Sequence, residues 1–139
     1  MNNKFKKNIR VLLSSIFIVG MIIIFTGCDN SLVTDNNLIF PDSLVSYQQH
    51  VYPFMKVKCA YVGCHGDSPQ YGASRMDSYF DLFSIDNLGL IIANKPDQSK
   101  LNQVLENKLP HNPVFQSGYL TENQKKGMRR WVLEGAKNN

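Results

Sequence analysis

The side chains most able to carry out chemistry in this sequence are two cysteines and a histidine within the stretch CAYVGCHG, residues 59–66. Cys59 and Cys64 offer thiols, and His65 offers an imidazole directly beside the second thiol. Such a set can form a disulfide, bind a metal ion, or attach a porphyrin whose iron takes the histidine. The choice among these reactions depends on the compartment of the chain and on the elements that position the three side chains.

The first 27 residues are typical of a secretion signal. An uncharged apolar run at positions 11–25 follows a basic start with four cations, namely Lys4, Lys6, Lys7 and Arg10. A membrane-spanning helix needs about 20 apolar residues, so this shorter run favours a cleaved signal peptide over a permanent anchor helix. We therefore expect the rest of the chain to work outside the cytoplasm, where thiols are oxidised or bonded.

The end of this leader, Phe25-Thr26-Gly27-Cys28, resembles the lipobox of bacterial lipoproteins. The resemblance implies that residues 1–27 are removed and that Cys28 is lipidated. The polar residues that follow predict a flexible linker, so residues 28–41 form a lipidated N-terminus and tether. Residues 42–139 then form one small domain in the bacterial cell envelope, held to a membrane and facing the periplasm or the cell surface.

Removal of the leader also changes the charge of the chain. The full sequence carries 15 basic and 11 acidic residues, and four of the basic ones lie in the leader. The processed chain would therefore have 11 of each sign and a formal net charge of zero. A nucleic-acid partner is not expected, because binding to nucleic acid needs a basic footprint. Motifs for hydrolysis or phosphate binding are also missing from the sequence.

The pattern of the domain predicts an all-α fold, since no stretch alternates apolar and polar residues as a strand would. Asp42 or Ser43 is expected to cap a helix that runs to about Lys58, with a kink or break at Pro53. Its apolar face would contain Leu44, Val45, Val51, Tyr52 and Met55. Residues 66–78 are predicted to form a loop, and residues 79–90 a short helix. Asp97 or Ser99 is predicted to cap a further helix that ends near Lys108.

The last helix has the strongest sequence signals. Thr121 and Gln124 fit the capping box, in which each side chain satisfies the backbone N–H of the other residue. An apolar stripe follows at helical spacing, formed by Met128, Trp131, Val132 and Ala136. The other positions carry Lys125, Lys126, Arg129 and Arg130, which form either a solvated face or a docking patch for an acidic partner.

The spacing of the cysteines bears on their chemistry. C-x-x-C-H is the attachment signature of haem c, and here two more residues separate Cys59 from Cys64. The insert, residues 60–63, must bulge outwards if both sulfurs are to reach one group, and Gly63 gives the backbone that freedom. A disulfide would leave His65 without a role. A zinc site would need His50 or His111 as a fourth ligand, and adjacent Cys64 and His65 suit a tetrahedral centre poorly.

Further motifs place the whole domain in context. A V-Y-P helix, Val51-Tyr52-Pro53, leads into the cysteines, and a Pro-Asp-x-Ser-x-Leu segment follows at 96–101. The chain closes with Leu120-Thr121 and a W-V-x-x-G-A helix end at 131–136. In these features it resembles the small c-type cytochrome domains of bacterial exported lipoproteins. The resemblance implies a cytochrome c-like fold around one covalent haem c, with Cys59 and Cys64 attached to the haem and His65 as an axial iron ligand.

The second axial ligand stays open at this stage. The family usually supplies a methionine from a Met-Pro dipeptide before the last helix, and this sequence has Leu109-Pro110-His111 there. His111 is the favoured replacement, because the flanking prolines stiffen its loop. The other options are water at an open position or another methionine, namely Met55, Met76 or Met128.

These expectations combine into one function. The resemblance implies a membrane-anchored mono-haem cytochrome, which carries single electrons between redox partner proteins and is not an enzyme. Two alternatives remain, a haem-based sensor of small ligands with an open sixth position and a haem-free interaction module with a disulfide loop.

Overall fold

A computed structural model describes residues 38–69, 73–111 and 120–139, all within one compact unit, Val33–Asn139. Within these ranges the chain is helical and contains no strand, which confirms the all-α prediction for this part. The predicted signal peptide, Cys28 and most of the linker lie outside the described residues. No helix in the described ranges is long and apolar enough to cross a membrane.

The first helical segment leads directly into the cysteines. A π-helical turn, Tyr47–Val51, continues without interruption into α1, Tyr52–Lys58. The change of register coincides with Pro53, which lies in the first turn of α1 and cannot donate a backbone hydrogen bond. The helix is therefore not broken at Pro53, contrary to the prediction; the π geometry changes to α geometry just before it, at Tyr52. Cys59 ends α1 as its C-cap residue.

The start of this segment differs from the prediction. Ser46, and neither Asp42 nor Ser43, is the N-cap, and its hydroxyl accepts from Gln49 N at 3.3 Å. The reason is a contact from the far end of the chain. The carboxylate of Glu134 accepts from the backbone N–H groups of Leu44 and Val45, both at 2.9 Å, and holds them outside a helix.

Two residues of the predicted apolar face are exposed in the structure and do not belong to the core. Leu44 has a positive φ of 56° and is 85% exposed, because the turn held by Glu134 directs it away from the core. Tyr52 is 37% exposed, whereas its neighbour Val51 is fully buried. The prediction is correct for the other three members, Val45, Val51 and Met55, which are buried in the core.

The middle of the chain contains short turns in place of the short helix predicted for 79–90. Two 3₁₀ turns, Asp81–Phe83 and Ile85–Asn87, follow the described residues 73–78, which lie outside any helix. A third 3₁₀ turn, Pro96–Gln98, precedes α2, Lys100–Leu105. Ser99 is the N-cap position of α2, as predicted, but its hydroxyl accepts from Ile92 N at 2.8 Å. The hydroxyl thus fixes the preceding loop.

The last helix is α3, Glu122–Leu133, and both predicted termini are formed by local contacts. Gln124 N donates to Thr121 Oγ1 at 3.2 Å, and Thr121 N donates to Gln124 Oε1 at 3.1 Å, which completes the capping box. At the other end Gly135 N donates to Val132 O and Ala136 N to Trp131 O. This pair of bonds is a Schellman motif, and Gly135 has the positive φ of 97° that the motif requires.

The core lies between α3 and the N-terminal part of the domain. Met128, Trp131 and Val132 are fully buried, and so is Ala136 just beyond the helix end, as the apolar stripe predicted. Phe40 packs on Gly127 of α3, where a Cβ would overlap the phenyl ring. Phe40 also exchanges two backbone hydrogen bonds with the Asn123 carboxamide, at 2.8 and 2.9 Å. Residues 38–41, predicted as the end of the linker, are therefore packed onto the domain.

Candidate functional site

One cavity brings together the residues that the sequence singled out. It has a volume of about 740 Å³, within the range of small-molecule sites. Cys59, Cys64, His65 and His111 all line it. Most of its remaining wall is apolar and comes from the 3₁₀-turn region and from α2, including Met76, Leu88, Leu90, Leu101, Val104 and Leu105.

The turn that carries the cysteines is built by the insert between them. After α1 ends, Cys64 N and Gly66 N both donate to Tyr61 O, at 3.1 and 3.2 Å, which folds residues 61–66 into a tight turn. Gly63 has a φ of 86°, and Val62 is 80% exposed at the tip. The insert thus leaves the helical path, and its residues Tyr61, Val62 and Gly63 line the cavity beside the cysteines. Both sulfur-bearing residues remain on the cavity wall.

Gly66 completes the turn by allowing a close approach that the sequence analysis did not recognise. A Cβ at this position would lie 2.8 Å from the backbone oxygens of both Ala60 and Tyr61. Such a contact is too short for any side chain, and the atoms it meets are backbone. A glycine directly after His65 is therefore needed for this turn.

His65 is oriented by a hydrogen bond from its ring. Nδ1 lies 2.7 Å from the carbonyl oxygen of Ser74, and a carbonyl can only accept, so Nδ1 carries the proton. In the neutral ring Nε2 then keeps its lone pair and can bind a metal. Histidine ligands in proteins usually have this arrangement, with the second ring nitrogen bound to a carbonyl or carboxylate. The His65 backbone is fixed as well, since its N–H donates to Cys59 O at 3.1 Å.

The two cysteines are free thiols in unequal surroundings. Cys59 is buried, and burial together with the neighbouring Cys64 raises the pKa of its thiol to about 12. Burial thus disfavours the thiolate form of Cys59 when no group is bound to it. A neutral thiol can still form a thioether, because the S–H group as a whole adds across a carbon–carbon double bond.

The structure places His111 close to His65. The two ring centroids are 5.8 Å apart and the ring planes are inclined by 56°. Aromatic rings in ordinary contact have centroids about 4.5–7 Å apart. The distance therefore shows that the two rings meet, and it is compatible with both of them binding one ion. His111 is exposed, whereas His65 is only half-exposed.

The three candidate methionines fall in two places. Met55 and Met128 are buried in the core at 1% and 0% exposure, and neither lines the cavity. Met76 does line it, but its backbone N–H donates to His65 O at 2.8 Å, so it belongs to the His65 side of the wall. Leu109, at the position where the family has methionine, lies on the cavity wall beside Pro110 and His111.

The zinc alternative gains no support from the described residues, which contain no group of three or more His, Cys, Asp or Glu side chains placed to hold a metal ion. His50 faces elsewhere. Its Nδ1 accepts from Ser46 N at 3.0 Å, and its ring lies against Phe40.

The basic residues of α3 do not act as one uniform patch. Arg129 donates to Asp97 at 2.7 Å and to Glu106 at 2.9 Å, so it ties α3 to the region of α2. Lys125 pairs with Glu122 at 2.7 Å. Lys126 and Arg130 are exposed and remain the part of the predicted docking patch that faces solvent.

Two residues near the cavity carried no recognisable sequence signal. Ser74 supplies the carbonyl for His65, and Asn87 bonds the loop that contains Ser74. A backbone carbonyl can come from any residue type, and the pairing of Asn87 with this loop spans 12 positions. Only the fold brings them together.

Comparison of the chain with protein-family models, with characterised proteins and with solved structures gave no match. The functional assignment therefore depends on the cavity and its residues.

Proposed function

We propose that the chain is a membrane-anchored c-type cytochrome with one haem, which carries single electrons between redox partner proteins outside the cytoplasm. One observation supports this most strongly. Cys59, Cys64 and His65 line the same apolar cavity, and the His65 ring is bound through Nδ1 so that Nε2 can bind a metal. A cytochrome c-like fold is part of the proposal. It is supported by the helical character of the described residues and by α1 leading directly into the Cys-His turn.

The residues present fit a haem c by the chemistry of their donors. Cys59 and Cys64 would hold it by thioethers, each formed as sulfur bonds to one carbon of a vinyl group and the thiol hydrogen to the other, with no net oxidation. His65 and His111 would bind its iron through their ring nitrogens. The bound haem would supply a reversible one-electron couple.

The protein's part in this function is to bind, orient and shield. The apolar wall from α2 and the 3₁₀-turn region keeps water away, which limits reorganisation when the charge changes. The Ser74 carbonyl accepts from Nδ1 of His65 and fixes the orientation of its ring. No side chain needs to transfer a proton, so the proposed role is that of a carrier and not of an enzyme. Redox partners would dock near the cavity mouth, and nucleic acid is not among the proposed partners.

The proposed location follows from the leader. Cleavage before Cys28 and its lipidation would hold the domain on a membrane of the bacterial envelope, on the periplasmic or outer side. The packed segment 38–41 sets the length of the tether, since only residues between Cys28 and Leu38 would separate the anchor from the folded domain.

The test is expression of the full-length chain in cells with a cytochrome c maturation system, followed by reduced and oxidised absorption spectra. A peroxidase stain on a denaturing gel should reveal covalent haem in the wild type. The double variant Cys59→Ser/Cys64→Ser should lose the stain entirely. Cys28→Ala is the matched control: it should keep the stain but release the protein from the membrane fraction or leave its leader uncleaved.

Each other outcome contradicts a defined part of the proposal. A stain that survives in the double variant would exclude thioether attachment. Colourless wild-type protein with a Cys59–Cys64 disulfide would favour the haem-free interaction module. A haem protein that binds carbon monoxide without any substitution would favour the sensor, whose specific support is Leu109 in place of the usual methionine.

A further inference from the structure

The carbonyl that orients His65 belongs to a loop without regular secondary structure. Ser74 lies in the described part of the loop, residues 73–78, before the first 3₁₀ turn. An unsupported loop peptide rotates readily, and rotation of the Ser74–Arg75 peptide group would remove the acceptor from His65 Nδ1. The hydrogen bond of 2.7 Å therefore needs a separate cause that fixes this peptide.

Asn87 supplies that cause through three side-chain hydrogen bonds. Its Nδ2 donates to Arg75 O and to Asp81 O, both at 2.7 Å. Its Oδ1 accepts from the hydroxyl of Ser74. Asn87 is 7% exposed, so these bonds form with little competition from water.

The placement of two of these bonds is informative. The peptide group whose oxygen accepts from His65 joins Ser74 to Arg75. Asn87 holds the Ser74 side chain before this group and the Arg75 carbonyl after it. With both neighbours fixed, the peptide plane between them has little freedom to rotate. The hydrogen bonds of Asn87 therefore do more than satisfy its own polar atoms, because they hold the residues on both sides of this one peptide group.

Asn87 itself is anchored independently of the loop. It ends the 3₁₀ turn Ile85–Asn87, and its N–H donates to Ser84 O at 3.0 Å. Its carbonyl accepts from Leu90 N at 2.9 Å, and Leu90 O in turn accepts from Leu101 N of α2 at 3.1 Å. The three side-chain hydrogen bonds of Asn87, called the clamp below, are thus connected to a helix on the cavity wall.

We infer that Asn87 is a positioning residue for His65: it fixes the Ser74 carbonyl and thereby the orientation of the His65 ring and the hydrogen bond at its Nδ1. The structural part of this inference stands on the apoprotein contacts, and its redox consequence rests on the proposed haem function. A carbonyl that accepts a hydrogen bond from Nδ1 makes the imidazole a stronger electron donor to the metal, and this favours the oxidised metal. Loss of the clamp should therefore raise the reduction potential.

The experiment compares three full-length variants with the wild type. Asn87→Ala removes all three bonds, and Ser74→Ala removes only the bond to the hydroxyl while leaving the backbone carbonyl in place. Asn102→Ala is the matched control. Asn102 is also buried, at 1% exposure, but its carboxamide has no hydrogen-bond partner in the described part of the chain and does not line the cavity.

Two measurements are made on each protein. In the haem-loaded protein the reduction potential should rise in Ser74→Ala, rise further in Asn87→Ala, and stay at the wild-type value in Asn102→Ala. In the apoprotein, NMR should show that the His65 Nδ1 proton exchanges with solvent roughly 2- to 10-fold faster in both clamp variants, the factor that one hydrogen bond is worth.

The outcomes separate this inference from the proposed function. Unchanged exchange and unchanged potential in both clamp variants would overturn the role of Asn87 while leaving the haem assignment intact. Absence of haem from the wild type would overturn the proposed function, and the exchange measurement would still decide whether Asn87 orients His65. If Asn87→Ala fails to fold, Ser74→Ala carries the same test, and wild-type behaviour in it contradicts the inference.

Discussion

His65 and His111 line the same cavity, but the chain holds them by different means. The His65 ring is bound directly to a backbone carbonyl, and the backbone of the same residue donates to Cys59 and accepts from Met76. The His111 loop is fixed two residues upstream, where Lys108 N and Leu109 N both donate to Gln103 O. His111 is also the more exposed of the two.

This difference suggests that His65 and His111 would have different roles as ligands of the proposed haem. A ligand that is oriented before the cofactor arrives contributes at low entropic cost, as His65 would. A more exposed ligand is more accessible to a competing molecule, as His111 would be. The same cavity would therefore have one permanent and one adjustable side. The adjustable side is where an electron carrier and a sensor differ.

The largest effects should come from removing each histidine in turn. His65→Ala should lower the yield of haem-loaded protein by at least about tenfold, because even losing a partner of a metal ligand typically costs that much. His111→Ala should keep the wild-type yield but change the oxidised iron from low-spin to high-spin and allow carbon monoxide to bind. Yield, absorption spectra and carbon monoxide titration measure these changes.

The control is His50→Ala, which removes the third histidine of the chain. His50 lies beside Phe40 and does not line the cavity, so its loss should leave the haem spectrum unchanged. Equal losses of haem in the His65 and His111 variants would refute the division into permanent and adjustable sides. A spectrum that does not respond to His111→Ala would exclude His111 as the sixth ligand.

A smaller effect should follow from restoring the family's methionine with Leu109→Met. Leu109 already lies on the cavity wall, so a thioether there can compete with His111 for the iron. Methionine ligation raises the potential, and we expect an upward shift that is a fraction of the roughly 0.8 V that axial ligands span. The near-infrared band of sulfur-ligated iron should appear with it. Leu133→Met, on an exposed position of α3, should show neither change.

Both the fold and the site show what sequence reasoning can reach. Thr121 and Gln124 are three residues apart, so their capping box could be predicted from neighbouring letters alone. The same holds for the positive φ of Gly63, since the cysteine spacing predicts that the backbone leaves the helical path there. A contact of this kind can be predicted because all the residues that form it lie within a few positions of one another.

The features that escaped prediction depend on residues far apart in the chain. The first helix starts at Ser46 because Glu134, about 90 positions away, binds the N–H groups of Leu44 and Val45. The clamp of Asn87 on Arg75 is likewise a product of tertiary structure. Neither pairing has a spacing rule, so no single-sequence pattern could indicate it.

The smallest expected effect concerns the far end of the loop that orients His65. Asp77 closes this loop: its carboxylate contacts Arg75 at 2.9 Å and Lys56 of α1 at 3.5 Å. Burial alone would raise the pKa of Asp77, but hydrogen bonding from Arg75 and the charge of Lys56 outweigh it and hold the pKa below its usual value of 3.8. The ionised carboxylate is thus more stable in the folded protein than in the unfolded chain.

The sign of the pH dependence follows from this lowered pKa. Above the usual pKa both states are ionised and the full stabilisation is present, and it is lost as the pH falls through the lower pKa of the folded state. Denaturant unfolding should therefore show the wild type more stable than Asp77→Asn by about 1 kcal/mol or less near neutral pH, with the gap closing as the pH falls below 3.8 and through the lowered pKa of the folded state. Asp67→Asn, which removes an exposed carboxylate from the same Arg75, should cost less. A gap that stayed constant with pH would show that Asp77 stabilises the fold by its shape and not by its charge.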